Sequence, residues 1–127
     1  HFAIGNFMRD ALSGQDLVIH GDGRPLRSYL HAADLTVWLL TILLQGRSMR
    51  PYNVGSEDAC SIAELARRVA DISGTTGRVR VLSEPGSGPA PRYVPDTRRA
   101  REELALEQSI PLDDAIARTL AWLRKCP

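Results

Sequence analysis

The sequence predicts a small mixed α/β domain in which helices outweigh strands. Three observations carry this. Apolar residues recur at helical spacing in several separate runs. Between those runs stand short extended stretches, "DLVIHGDGRP", "LRSYLHA" and "RVRVL", bounded by Gly and Pro. No internal repeat organises the chain, so short strands alternating with helices are the governing pattern. The strands are too short and too few for a complete doubly wound sheet.

Taken in order, Ile4, Phe7, Met8, Ala11 and Leu12 mark a first helix, and Gly14 stands just past its end. "DLVIHGDGRP" reads as a strand entering a Gly-rich turn, and "LRSYLHA" as a second extended segment. Asp34 is placed to cap the next helix by accepting from its free amides. That helix carries Leu35, Trp38, Leu39, Ile42 and Leu43 on its expected buried face and stops near Gly46. "PYNVG", residues 51–55, is short and extended. Ser61 and Glu64 form a capping box ahead of Ile62, Leu65, Val69 and Ile72, with Gly74 as the stop. "RVRVL" alternates as a strand, "SEPGSGPAPRY" is a loop, and a short helix follows near Thr97 to Leu104. The last helix opens around Pro111, with Asp113 and Asp114 early and Arg124 and Lys125 late, the order the helix dipole favours. Its expected buried face is Leu112, Ile116, Leu120 and Leu123.

At 127 residues the chain is long enough for one modest core. Its formal net charge of +1 gives no global field toward nucleic acid or an anionic membrane. Every basic residue except Lys125 is arginine. Arg98, Arg99 and Arg101 are followed at once by Glu102 and Glu103 without interleaved aromatics, so they read as a solvated helix face. Cys60 and Cys126 are far apart and form no CxxC pair, which points to a reducing, cytoplasmic setting. No apolar run approaches the roughly 20 residues that span a bilayer. The chain starts at His1, not Met, inside a segment that reads as structured, as a piece of a longer protein would.

Several chemistries are missing from the residues. No GxGxxG follows a strand, and no tyrosine is followed four residues later by lysine: Ala33, Ser56 and Thr97 stand there. His1, His20 and His31 lack metal-ligand spacing, and no nucleophile elbow supports a triad. The chain alone is therefore expected to hold no catalytic residues, no cofactor and no metal.

"GDGRPLRSYLHAADL", followed by "PYNVGSEDACSIAELARRVA", resembles the C-terminal part of the extended short-chain dehydrogenase/reductases, the NAD-dependent sugar-nucleotide epimerases and dehydratases. That family writes Arg-Asp-Tyr-Ile/Val-x-Val-x-Asp before a helix, then Tyr-Asn-x-Gly before a Ser- or Thr-capped helix. Here the matching residues run from Arg27 to Asp34, then Tyr52 to Gly55, then Ser61. "PRYVPDTRRAREEL" and "PLDDAIARTLAWL" resemble the family's closing segments.

The resemblance implies that residues 1–127 are a substrate-binding domain whose Rossmann half, with its Gly-rich loop and Tyr-x-x-x-Lys pair, is absent. It implies NAD as the cofactor of a full-length parent and a nucleotide-diphosphate sugar as the ligand. Polysaccharide biosynthesis would be the setting. A non-enzymatic nucleotide-sugar-binding or interaction module is the alternative. The helices at Ile4–Leu12 and Leu35–Leu43 would abut the cofactor domain, so exposed apolar surface and self-association are expected.

Three residues are the substrate-binding candidates. The resemblance sets Arg27 on the diphosphate, and a guanidinium at a rigid strand end suits that task because it offers paired donors and keeps its charge. Asn53 lies near the nucleotide-sugar in the resembling family, and its carboxamide can bond a ligand or the local backbone. Arg92 matches an arginine often used on phosphate, although "SEPGSGPAP" lacks the family's two preceding arginines. Tyr29 shares Arg27's side and is expected to pack. His31 is expected to be a satisfied, half-buried histidine.

Overall fold

The computed structural model describes residues 3–125; His1 and Cys126 lie outside them. Five helices and five very short strands follow one another as α1 (Ala3–Leu12), β1 (Leu17–Ile19), β2 (Leu26–Ser28), α2 (Ala32–Gln45), β3 (Ala59–Ser61), α3 (Ile62–Ser73), β4 (Val79–Val81), β5 (Arg92–Tyr93), α4 (Arg98–Leu104) and α5 (Leu112–Leu123). The expected mixed α/β class, rich in helix, is the observed one. None of these helices is long and apolar enough to cross a membrane.

The strands form two small sheets. β1 runs parallel to β4, with Leu17 opposite Val79. β2 is the middle strand of the other sheet, antiparallel to β3 and parallel to β5. β3 and β5 were not expected from the sequence. They are two or three residues long, too short to show a period, and exist because β2 offers both its edges.

Two cores hold the chain together. The larger joins Phe7, Met8 and Ala11 of α1, Leu17 and Ile19 of β1, Leu65, Ala66 and Val69 of α3, and Ile116 and Leu120 of α5. The α1 stripe is thus buried against this same chain, largely on α3, and does not form the uncovered face expected for it. The smaller core gathers around Trp38 of α2 with Ala100 of α4 and Leu106 just beyond it.

Helix α3 is built as its sequence specifies. The Ser61 hydroxyl accepts from the Glu64 amide at 3.1 Å, the Glu64 carboxylate accepts from the Ser61 amide at 3.4 Å, and Gly74 closes the helix in the left-handed region. The turn before β2 is equally determined. Gly23 has φ +73°, and a Cβ there would stand 2.8 Å from the Ala63 Cβ, so only glycine fits between the turn and α3.

Helix α2 departs from expectation in two ways. It begins at Ala32, and His31 is its cap: the imidazole Nδ1 accepts from the Ala33 amide at 3.1 Å. Asp34 is therefore already inside the first turn, and it is buried rather than capping. Its carboxylate accepts from the amides of Ser109 (3.2 Å) and Ile110 (3.0 Å) and from the Ser109 hydroxyl. The buried stripe is accordingly Asp34 and Trp38 with half-buried Ile42, not the leucine face. Leu35, Leu39 and Leu43 are all exposed.

Candidate functional site

β2 sets out the alternating residues that the sequence singled out. Arg27 is its central residue, pinned between Cys60 of β3 and Tyr93 of β5. Its Nη1 donates to the Leu26 carbonyl at 2.8 Å. Tyr29, two residues on, packs half-buried against the larger core. Burial pushes its phenol up to about 12, the neighbouring Cys60 adds to this, and the Arg27 guanidinium acts weakly in the opposite direction. Such a phenol keeps its proton, which agrees with a packing role. His31 is half-buried and spends its Nδ1 on the α2 cap.

The pleat decides which candidates can meet. Residues opposite one another on paired strands share a face. Arg27 is opposite Tyr93, whereas Arg92 is opposite Leu26, so Arg27 and Arg92 leave opposite faces of the sheet. Arg92 is exposed beside Glu57, Asp96, Arg98 and Arg101. Two of those arginines are already paired, Arg98 to Asp96 at 3.0 Å and Arg101 to Glu57 at 3.1 Å.

Asn53 lies on the extended segment 51–55, where its Nδ2 donates to the Asp96 carbonyl at 2.9 Å. The segment is pressed close to the chain after β5. A Cβ on Gly55 would come 2.6 Å from the Pro95 Cγ. Asn53 faces a cleft of about 440 Å³ together with Ser28, Leu30, Val54, Tyr93 and Pro95. Tyr93 thus links two of the candidates. It is the register partner of Arg27 and shares the cleft with Asn53, and it is 78% exposed. In the sequence Tyr93 falls within the loop "SEPGSGPAPRY", and the one signal it offers is an aromatic beside Arg92 at the end of a Pro/Gly run.

A second cleft, of about 390 Å³, opens between α1 and the turn after β1, where Asn6, Phe7, Arg9, His20 and Pro25 line it. Pro25 stands two residues before Arg27. This concavity was also missed, because it joins residues from α1 to a turn some fifteen positions later and no local motif marks it.

The supporting electrostatics are satisfied internally. Glu103 accepts from the Arg50 Nε and from the Tyr52 hydroxyl at 3.0 Å, and Arg50 holds its carboxyl down to about 2. Glu57 holds Thr97, the residue at the head of α4, from a distance in sequence, taking the Thr97 amide at 2.8 Å and the Thr97 hydroxyl at 2.9 Å, and these bonds lower its pKa. Among the described residues no three His, Cys, Asp or Glu side chains stand together to hold a metal ion.

The family model described as the NAD dependent epimerase/dehydratase family matches residues 3–55, which contain α1, both strands of the turn region, Arg27, α2 and Asn53. Residues 3–55 belong to the NAD-dependent epimerase/dehydratase family. The likeness to individual members continues through the remainder of the chain. UDP-glucuronic acid decarboxylase 1 of Xenopus tropicalis is 31% identical over 96% of this chain, and dTDP-glucose 4,6-dehydratase of Streptomyces griseus is 29% identical over 96% of it. Those stretches are 28% and 37% of the two relatives' own lengths. The fold is that of UDP-glucose 4-epimerase from Thermotoga maritima, with a TM-score of 0.86 at 22% identity, covering 98% of this chain and 40% of that one. The chain therefore corresponds to well under half of a typical epimerase/dehydratase.

Proposed function

We propose that this chain is the substrate-binding part of an NAD-dependent epimerase/dehydratase acting on a nucleotide-diphosphate sugar. The observation that carries the reading is the placing of Arg27 in the middle strand of a three-stranded sheet, with exposed Tyr93 in register beside it. A guanidinium held on both sides by backbone pairing is a preorganised donor for phosphate oxygens. The relatives' printed names supply the ligand class, since each carries a nucleoside diphosphate sugar. The base is assigned to the cleft by His20 and Phe7, whose lining mixes apolar residues with Asn6, Arg9, Asp10 and His20. The cleft shared by Asn53 and Tyr93 lies toward the sugar. Arg92 leaves the other face of β5, so its assignment to the ligand rests on the family resemblance alone. In this reading the chain contributes binding and orientation in a cytoplasmic enzyme of polysaccharide biosynthesis.

When bound, NAD supplies the hydride chemistry of such an enzyme. The described residues do not fit it. A dinucleotide pyrophosphate is received by open amides at a helix N-terminus after a Gly-rich turn. Here His31 caps α2, Ser61 and Glu64 close α3, the Asp96 carboxylate takes the first amide of α4, and the acidic Asp113 and Asp114 stand in the first turn of α5. The cofactor is therefore assigned to a Rossmann half outside this chain. Titrating NAD into the 127-residue protein is expected to give no saturable heat, and saturation in the micromolar range would contradict the assignment.

The test of the substrate reading is Arg27→Ala. Loss of a charge-assisted contact to an anion costs about 1.5–3 kcal/mol, roughly ten- to a hundredfold in affinity. UDP-glucose titrated into the chain, followed by backbone amide shifts, is expected to weaken by that factor while the melting temperature holds. A variant that unfolds, yet binds normally in its folded fraction, would make Arg27 a structural residue.

A further inference from the structure

Strand β5 has little of its own to hold it in place. It is two residues long, and both its side chains, Arg92 and Tyr93, are exposed, so it adds nothing to either core. The loop that enters it, residues 82–91, is exposed along almost its whole length. At the entrance its backbone is tied to β2, where the Leu26 amide donates to the Pro91 carbonyl at 2.8 Å. The exit is held differently. Among the described residues no backbone amide takes the Asp96 carbonyl, three residues past Tyr93; the helical bonds of α4 begin one residue later, with the Arg101 amide on Thr97. The Asp96 carbonyl accepts instead from the Asn53 Nδ2, at 2.9 Å.

Asn53 comes from a segment with support of its own. Tyr52 and Val54, on either side of it, pack into the smaller core, and the Arg99 Nη1 donates to the Pro51 carbonyl at 2.6 Å. Alternation along an extended segment turns Asn53 the other way. The cleft of about 440 Å³ lies between these two stretches: Asn53, Val54 and Gly55 line it from one, Tyr93, Val94 and Pro95 from the other. We infer that Asn53 is a positioning residue of this cleft: its carboxamide ties one wall to the other and so fixes Tyr93 beside Arg27. Donation is the property that matters. A carbonyl only accepts, so the group at position 53 must carry a hydrogen, and the same bond settles which branch of the carboxamide is the nitrogen. Gly55 lets the walls approach, and Asn53 keeps them there. The inference rests on the substrate reading for its consequence, a loss of ligand affinity when the wall moves; the tie itself is read without ligand.

Amide exchange of the full chain tests the tie. In Asn53→Ala, and in the isosteric Asn53→Asp, which has no hydrogen to give at neutral pH, the Leu26 amide is expected to exchange about five- to tenfold faster, the scale of one lost hydrogen bond. The Ile62 amide, which donates to the Pro25 carbonyl at 3.1 Å on the β3 side, should keep its rate. Unchanged exchange at Leu26 in Asn53→Ala overturns the inference. So does an Asn53→Asp chain that keeps the parent's rate, because shape and not donation would then hold the wall, and so does equal acceleration at Ile62, the mark of a general loosening. UDP-glucose affinity, followed by amide shifts, reads the consequence. Asn53→Ala and Tyr93→Ala are each expected to weaken it about tenfold, and the double variant no further, because Asn53 acts through the wall that carries Tyr93. Effects that multiply would make Asn53 an independent ligand contact and end the positioning role. Affinity untouched by Asn53→Ala but lowered by Arg27→Ala overturns the inference and leaves the substrate reading standing. A parent chain that binds no UDP-glucose removes the substrate reading, and the Leu26 rate still decides the tie.

Discussion

Asp34→Ala is expected to destabilise the fold by about 3–4 kcal/mol, because it strips a buried charged acceptor from three donors at once. Asp34 is 4% exposed. Its two oxygens serve the Ser109 amide and hydroxyl and the Ile110 amide, and Ile110 is itself buried. Alanine leaves those groups unpaired and cuts the tie between the first turn of α2 and the approach to α5. Asp34→Asn keeps one acceptor and is expected to cost about half as much. Urea midpoints of the three proteins at neutral pH are the measurement; equal midpoints for Asp34→Ala and the parent would show the tie to be dispensable.

The same carboxylate gives the fold an acid limb of defined sign. Burial raises its pKa, but the hydrogen bonds from Ser109 and Ile110 outweigh that and hold it below the usual 3.8. A carboxyl depressed in the folded state stabilises fully above its unfolded value and loses the contribution as pH falls through the folded one. Asp34→Asn should therefore flatten part of the stability loss below about pH 4. It should not abolish that loss, since Asp22, Glu57, Asp96 and Glu103 are also held low.

What the sequence disclosed, and what it concealed, follows the range of the interactions. The Ser61–Glu64 box and the Gly74 stop were legible because the partners sit three residues apart and belong to one helix. The anchoring of Thr97 at the head of α4 was not, because its acceptor, Glu57, comes from forty residues earlier. Asp34 looked like a cap for the same reason. Aspartate before an apolar run is what an N-cap resembles, and only the folded chain shows that His31 has the role and that Asp34 reaches seventy-five residues ahead. Among the candidate ligand residues, the type and order of Arg27, Asn53 and Arg92 could be read. Their faces could not, since β5 is two residues long and its register with β2 is a tertiary fact. The acidic pair Glu102–Glu103 looked uniformly solvated, yet Glu103 is gripped by Arg50 and Tyr52 from a segment fifty residues away. Helix α2 shows the converse. Its leucines were legible as apolar, but an all-round apolar helix does not say which stripe is covered.

Trp38→Ala is expected to cost about 3–5 kcal/mol, the largest effect of any single truncation in the smaller core. Trp38 is 2% exposed and is the largest fully buried side chain in the structure. It packs with Ala100 and Leu106, and Leu30, Ile42, Tyr52, Val54 and Leu104 close around the cluster. Its Nε1 also donates to the Glu107 carbonyl at 3.1 Å. Trp38 and Asp34 are one helical turn apart, so the two anchor α2 to the same stretch after α4. Tyr52 and Val54 flank Asn53, which means that the cluster also positions the Asn53 cleft. The variant should lose both the α2 anchor and the shape of the Asn53 cleft, while the larger core around Leu65 and Ile116, which shares no residue with it, retains its helices. Trp38→Phe keeps an aromatic ring and loses the N–H, and is expected to cost about 1–2 kcal/mol. Far-UV circular dichroism during urea unfolding reads these differences. Amide exchange localises them: protection in Trp38→Ala should fall at residues 32–45 and 98–110 before it falls in α3. If protection falls equally in α3 and α5, the two cores unfold as one unit, and Trp38 supports the whole domain rather than the site alone.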